Sequence, residues 1–169
     1  DDERFLKVLD IYVRNFLSLD EFEAELKLFS PRVQQTEACQ RNFEFIKYAR
    51  MNVPGQKCID FEIKGHDGKT IKLSDVYKKH KLVLIDFWAS WCGPCRAEIP
   101  HLKEAYKEYS DKGVAFFSVS IDKDNAAWKK AMKEENMAWP QVCAPKAGKD
   151  VMKQYQFSGI PYILVIDKE

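Results

Sequence analysis

An excess of charge of either sign is missing. The 169 residues carry 27 Lys and Arg against 26 Asp and Glu, a net charge of +1 at pH 7, and the two signs are mixed along the chain with no basic stripe. That balance argues against nucleic acid as the main partner. Long apolar runs are missing as well; none approaches the roughly 20 residues that span a bilayer. The opening "DDERF" shows no charged-then-apolar leader, which by itself does not settle the compartment. Cysteine is sparse. Five residues, an odd number, do not make a disulfide-stapled mini-protein. His66, His80 and His101 have no ligand-like spacing, and no second C-x-x-C completes a tetrahedral metal site of about four ligands. Internal repeats and low-complexity tracts are absent. Hydrophobic residues are plentiful, at 46%, so a core can form and disorder is excluded as the main state.

The first fifty or so residues read as helix. Phe5, Val8, Leu9, Tyr12, Val13 and Phe16 recur at three- and four-residue steps. Ser18 and Glu21 have the spacing of a capping box, ahead of a second helix through Phe22, Leu26 and Phe29. Ser30-Pro31 looks like a cap with proline in the first turn, predicting a third helix that runs to about Met51. Asn52-Val53-Pro54-Gly55 then marks a boundary, dividing a helical segment, 1–52, from a domain at 53–169. Beyond it "CIDFEIKGHDGKTIKLS" alternates around Asp67-Gly68, a hairpin signal, and Ser74 is read as the cap of a short helix to about His80. Residues 82–88 form a short, mostly apolar run, a buried strand. A helix over 93–111 follows, ended by Gly113 and kinked at Pro100. "VAFFSVSID" is a second buried strand, 125–136 and 149–155 are helices, and "SGIPYILVID" is a turn followed by a strand. Strands alternating with helices predict an α/β layer structure with crossover connections.

The chemistry concentrates in "LVLIDFWASWCGPCRAEIP". Two residues between cysteines allow a disulfide to close within the first turn of a helix, so Cys92 and Cys95 form a reversible couple. Unpaired N–H groups and the partial positive charge at that turn favour an anion, which lowers the Cys92 thiol pKa. Pro94 presets the helical φ at a place where its missing N–H costs nothing. Cys92 is the expected nucleophile and forms a mixed disulfide. Cys95, one turn inward and more shielded, resolves it. That second step needs a base, and two acids are candidates. Asp86, inside the apolar strand beside Phe87 and Trp88, should have a raised pKa and so carry a proton near neutrality. Glu98 lies three residues after Cys95 on the same helix face. Trp91 is placed to shape a substrate surface, and Arg96 could favour the thiolate. Cys39, Cys58 and Cys143 are read as small buried hydrophobes.

"FWASWCGPC" with a downstream "GIP" resembles the thioredoxin-like fold, a central mixed sheet flanked by helices. "DFWASWCGPCRAEIPHL" and the lead-in "VPGQKCIDFEIKGHDGKTIKLSDV" resemble, more narrowly, the TlpA/ResA-like thiol-disulfide oxidoreductases. The resemblance covers residues from Val53 onward. It implies that Cys92 and Cys95 are the nucleophile and the resolving thiol, and that Asp86 and Glu98 match the acids of the family. It also implies that Pro161 is a cis-proline presenting the backbone of Ile160 to an extended substrate strand. Trp91, Gly93, Pro94, Ile160 and Pro161 make up the implied substrate-facing set. Gly-Pro between the thiols, with Ile before the cis-proline, implies a reductant that needs no cofactor. Its implied partners are disulfide-containing envelope proteins and an upstream membrane thiol reductant, and its implied place is the bacterial periplasm or cell envelope. Two other readings of a C-x-x-C protein are a copper chaperone-like metal binder and a thiol peroxidase-like enzyme. The family pattern continues past the "YILVID" strand with a turn, a strand and a helix. Their absence here predicts a truncated or trimmed chain, or an edge strand covered by a neighbouring chain. The helical segment before Val53 resembles an accessory part of larger TlpA-like proteins.

Overall fold

A computed structural model of the protein describes residues 18–64 and 69–168. The expected helix through Phe5 and Phe16, His66 and the Asp67-Gly68 turn lie outside them. The chain divides into two compact units, Asp1–Lys57 and Cys58–Glu169.

The described part of the first unit is helical. Helix α1 (Leu19–Leu28) opens on the expected capping box: Ser18 Oγ accepts the Glu21 N–H, and the Glu21 carboxylate accepts the Ser18 N–H. The long helix expected from Pro31 to Met51 is instead two, α2 (Pro31–Gln34) and α3 (Glu37–Met51). Thr36 makes the break. Its backbone is extended, its hydroxyl donates to the Val33 carbonyl at 2.7 Å, and its oxygen accepts the Cys39 N–H at 3.3 Å. A threonine cap thus restarts the helix at a place where the hydrophobic period shows no interruption. Phe22, Leu26, Val33, Cys39 and Ile46 bury themselves together, and Arg50 of α3 pairs with Asp20 and Glu23 of α1.

The second unit begins with an antiparallel pair, β1 (Glu62–Lys64) and β2 (Thr70–Lys72), with Ile63 opposite Ile71. Helix α4 (Leu73–Tyr77) follows at once. Ser74 is not its cap, as expected, but a residue inside its first turn. Its N–H donates to Asp60 Oδ1 at 2.9 Å, so an acid from before the hairpin supplies the acceptor that the sequence reading assigned to Ser74.

The main sheet contains β3 (Leu82–Trp88), β4 (Val114–Ser120), β5 (Gln141–Cys143) and β6 (Tyr162–Asp167), in the order β5-β4-β3-β6. Strands β3, β4 and β5 run parallel and β6 runs antiparallel to β3, which makes the sheet mixed. Helix α5 (Gly93–Tyr109) connects β3 to β4 and helix α6 (Asn125–Glu135) connects β4 to β5. Helix α5 runs on through Pro100 and tightens into a 3-10 turn, Ser110–Lys112. Gly113, at φ +93°, then releases the chain into β4. A second 3-10 turn, Pro145–Gly148, leads into helix α7 (Lys149–Gln154). The three-residue β5 was not anticipated, being too short to show a period beside Pro140.

Alternation along β3 separates two kinds of surroundings. Phe87 joins an aromatic group with Tyr155, Phe157 and Tyr162. Leu84, Asp86 and Trp88 point to the other face. There Trp88 packs in one cluster with Cys95 and Ile99 of α5, and Leu84 packs against another containing Leu102 of α5 and Trp139. Asp86 therefore sits between two apolar clusters, on the face that α5 covers. At the far end of the sheet β6 alternates between half-buried and exposed residues, with Ile163 and Val165 exposed.

Candidate active site

Strand β3 ends at Trp88 and the chain turns through Ala89, Ser90 and Trp91 into α5. Cys92 is the N-cap of that helix, and its Sγ accepts the Cys95 N–H at 3.2 Å. A helix N-terminus therefore aims an orphan donor at the sulfur, the arrangement that stabilises a thiolate once the bond is reduced. Cys92 and Cys95 are joined as a disulfide, with their Cα atoms 5.3 Å apart, inside the range a bridge needs. The Ile160–Pro161 peptide is cis, and the Ile160 carbonyl oxygen lies 3.8 Å from Cys92 Sγ.

The difference in exposure expected between the two cysteines is small. Cys92 is 5% exposed and Cys95 is 2% exposed. In the oxidised pair the outer sulfur is turned onto its partner and onto the Ile160 carbonyl, which covers it. The residues around it are open: Trp91 is 66% exposed, and Gly93, Pro94 and Pro161 are exposed. A Cβ added to Gly93 would meet nothing within 4 Å, so the space before it is free.

Asp86 is 3% exposed. Burial, its largest influence, pushes its carboxyl pKa up to about 6. The Ser118 hydroxyl, donating to Oδ2 at 3.1 Å, pulls the other way, and the charge of Glu98 pushes it further up. Glu98 is half-buried and, through that repulsion, shares the surroundings of Asp86. Arg96 points elsewhere. It pairs with Glu134 at 2.8 Å and Glu135 at 2.6 Å, tying α5 to α6, so its charge is already engaged away from the sulfurs. Burial raises the thiol pKa of Cys39, Cys58 and Cys143, which keeps all three protonated. Only Cys39 is fully buried as expected; Cys58 and Cys143 are partly exposed.

A profile of the AhpC/TSA family matches residues 54–169. ResA, a thiol-disulfide oxidoreductase of Bacillus thuringiensis subsp. konkukian, is 33% identical over 125 residues, covering 74% of this chain and 69% of that protein. The thioredoxin domain of a thiol-disulfide oxidoreductase from Bacteroides vulgatus superposes with a TM-score of 0.64 at 36% identity, covering 69% of this chain and 83% of that one. A thiol:disulfide interchange protein from a Bacteroides species gives a TM-score of 0.60 at 36% identity, over 66% of this chain and 72% of that one.

The chain belongs to the AhpC/TSA family, among its thioredoxin-like, ResA-type members. It is a thiol-disulfide oxidoreductase. In this ResA-type chain the structure brings Cys92, Cys95, Gly93, Pro94, Trp91, Ile160 and Pro161 to one end of the sheet, and it buries Asp86 on the α5 face. Three further residues escaped the sequence reading. Asp122, just after β4, clamps the turn before Cys92. One oxygen accepts the Ser90 hydroxyl at 2.6 Å; the other accepts the Ser90 N–H at 2.8 Å and the Ser120 hydroxyl at 2.7 Å. Ser118 and Trp139 are linked to Asp86, the indole N–H donating to Ser118 Oγ at 2.8 Å. The one available signal was the polar Ser118 and Ser120 inside an apolar strand; nothing local says what they touch.

Proposed function

We propose that the protein reduces disulfides of proteins outside the bacterial cytoplasm. The observation that carries this reading is the Cys92–Cys95 pair at the first turn of α5, with the Ile160 carbonyl against the outer sulfur. In the reduced protein the Cys92 thiolate attacks one sulfur of a substrate disulfide. A Cys92–substrate bond forms, the substrate bond breaks, and one substrate sulfur leaves as a thiolate. An extended substrate strand lies along Ile160, beside Trp91, Gly93 and Pro94. Cys95 then gives its proton to Asp86, whose raised pKa of about 6 suits it to accept and return a proton near neutrality. Glu98 supports the same group by its charge. The Cys95 thiolate attacks Cys92 Sγ, forming the disulfide seen here and releasing the second substrate thiolate. Two electrons pass to the substrate, and a membrane thiol reductant upstream restores the pair. Residues 1–52 act as an accessory segment to the catalytic domain at 53–169. Among the described residues no helix is long and apolar enough to cross a membrane.

Insulin reduction driven by a small dithiol tests the chemistry. Wild type should accelerate it, Cys92→Ser should abolish the acceleration, and Cys95→Ser should accumulate a mixed disulfide. Retained activity in Cys92→Ser would refute the scheme. The family match favours one competing reading, a thiol peroxidase. Peroxide consumption faster than insulin reduction at equal dithiol would replace the reductase reading with that one. Fractionation of the natural host, with the protein found only in cytosol, would refute the proposed location.

A further inference from the structure

Asp86 is not an isolated acid. Register places Ser118 of β4 directly beside it on β3, and Ser118 is fully buried. The Ser118 oxygen is also within 2.8 Å of the Trp139 indole nitrogen. An indole N–H can only donate. It therefore makes the serine oxygen an acceptor, which leaves the single hydroxyl proton for Asp86 Oδ2, 3.1 Å away. The three groups form a chain with one direction, and that direction ends on a carboxylate. A protonated Asp86 offering its own hydrogen back to Ser118 would meet a hydroxyl whose proton already points at it.

Packing does not by itself demand this arrangement. The indole nitrogen of Trp88 is buried without a hydrogen-bond partner among the described residues, so this core tolerates an orphaned indole N–H. Trp139 is nonetheless partnered, through the one residue that pairs in register with Asp86. The remaining surroundings leave Ser118 as the group that favours the charged form. Asp86 is flanked on its own strand by Leu84 and Trp88, and opposite it on β6 lies Ile163. From α5 come Glu98, which repels the charge, and the Cys92–Cys95 pair, which does not titrate while oxidised. Arg96 of α5 is held by Glu134 and Glu135.

We propose that Ser118 and Trp139 are positioning residues for the thiol exchange: a one-way relay from the indole N–H through the serine hydroxyl holds Asp86 as the anion that receives the Cys95 proton. The proposal rests on the reading of Asp86 as base given above, and the test separates the two. In oxidised protein labelled with 13C at aspartate carboxyls, the Asp86 resonance is the one missing from Asp86→Asn. Its titration midpoint should rise by about one pH unit in Ser118→Ala, which removes a hydrogen bond made to the charged form. It should rise by a few tenths in Trp139→Phe, which keeps a ring but loses the N–H. The acid limb of insulin reduction should move up by the same amounts. A Ser118→Ala midpoint equal to that of wild type overturns the relay, and so does an unmoved Trp139→Phe midpoint should the alanine variant fail to fold. Insulin reduction by Asp86→Asn at the wild-type rate overturns instead the role of Asp86 as base, while the carboxyl titration still decides whether the relay holds it as an anion.

Discussion

Two buried carboxylates lie near the disulfide in unlike surroundings. Asp86 is 3% exposed and Asp122 is 4% exposed, so water reaches them about equally. Asp122 accepts three hydrogen bonds, two from Ser90 and one from Ser120, and so fastens the turn before Cys92. Among the described residues Asp86 accepts one, from Ser118, and is repelled by Glu98. Equal burial thus accompanies a carboxylate ringed by donors, an anchor for the turn, in one place and a carboxyl facing a single donor in the other. Burial pushes the Asp86 carboxyl up because a single donor replaces little of the water it loses.

The comparison breaks most visibly at the anchor. Asp122→Ala leaves the Ser90 N–H and two hydroxyls without their acceptor in a closed place, at a cost on the order of 3 kcal/mol. Denaturant midpoints of the oxidised protein should show that loss; an unchanged midpoint would mean the clamp stabilises nothing.

Asp86→Asn should act with the opposite sign. The folded carboxyl titrates at about 6 against a reference of 3.8, so the native state binds this proton more tightly than the unfolded chain does. The wild type is therefore most favoured below the reference value, and it loses that stability as pH rises toward 6. The loss amounts to about 3 kcal/mol once complete. Asparagine never charges, so at pH 7 to 8 the variant should be the more stable protein by up to about 3 kcal/mol. The gap should close by pH 4. A pH-independent difference would show that Asp86 does not titrate as described.

The smallest expected effect sharpens the same contrast. Glu98→Gln removes the repelling charge, so the Asp86 midpoint should fall by a few tenths of a pH unit, read from the carboxyl titration. A rise would place Glu98 in some other relation to Asp86.

Legibility followed distance along the chain. The capping box at Ser18 and Glu21, the helix opening at Cys92 and the glycine stop at Gly113 are local events, complete within a few neighbouring residues, and the structure matches each. The burial of Asp86 was legible because its flanking residues are apolar. The break at Thr36 was missed because a single threonine bond to Val33 leaves the hydrophobic period intact. Asp60 capping α4 across the hairpin, Asp122 reaching Ser90, and Trp139 reaching Ser118 were missed for a different cause. Each joins residues more than ten positions apart.

By itself the sequence pointed to the atoms proposed to do the chemistry: two sulfurs spaced for one helical turn, and an acid placed within an apolar strand. Only the tertiary structure decided how those atoms behave. Parallel register between β3 and β4 chose Ser118 as the partner of Asp86, and the fold brought Trp139 behind it and Asp122 to Ser90. A side chain's identity is written in the chain, whereas the donors and charges that tune it arrive through packing from distant positions.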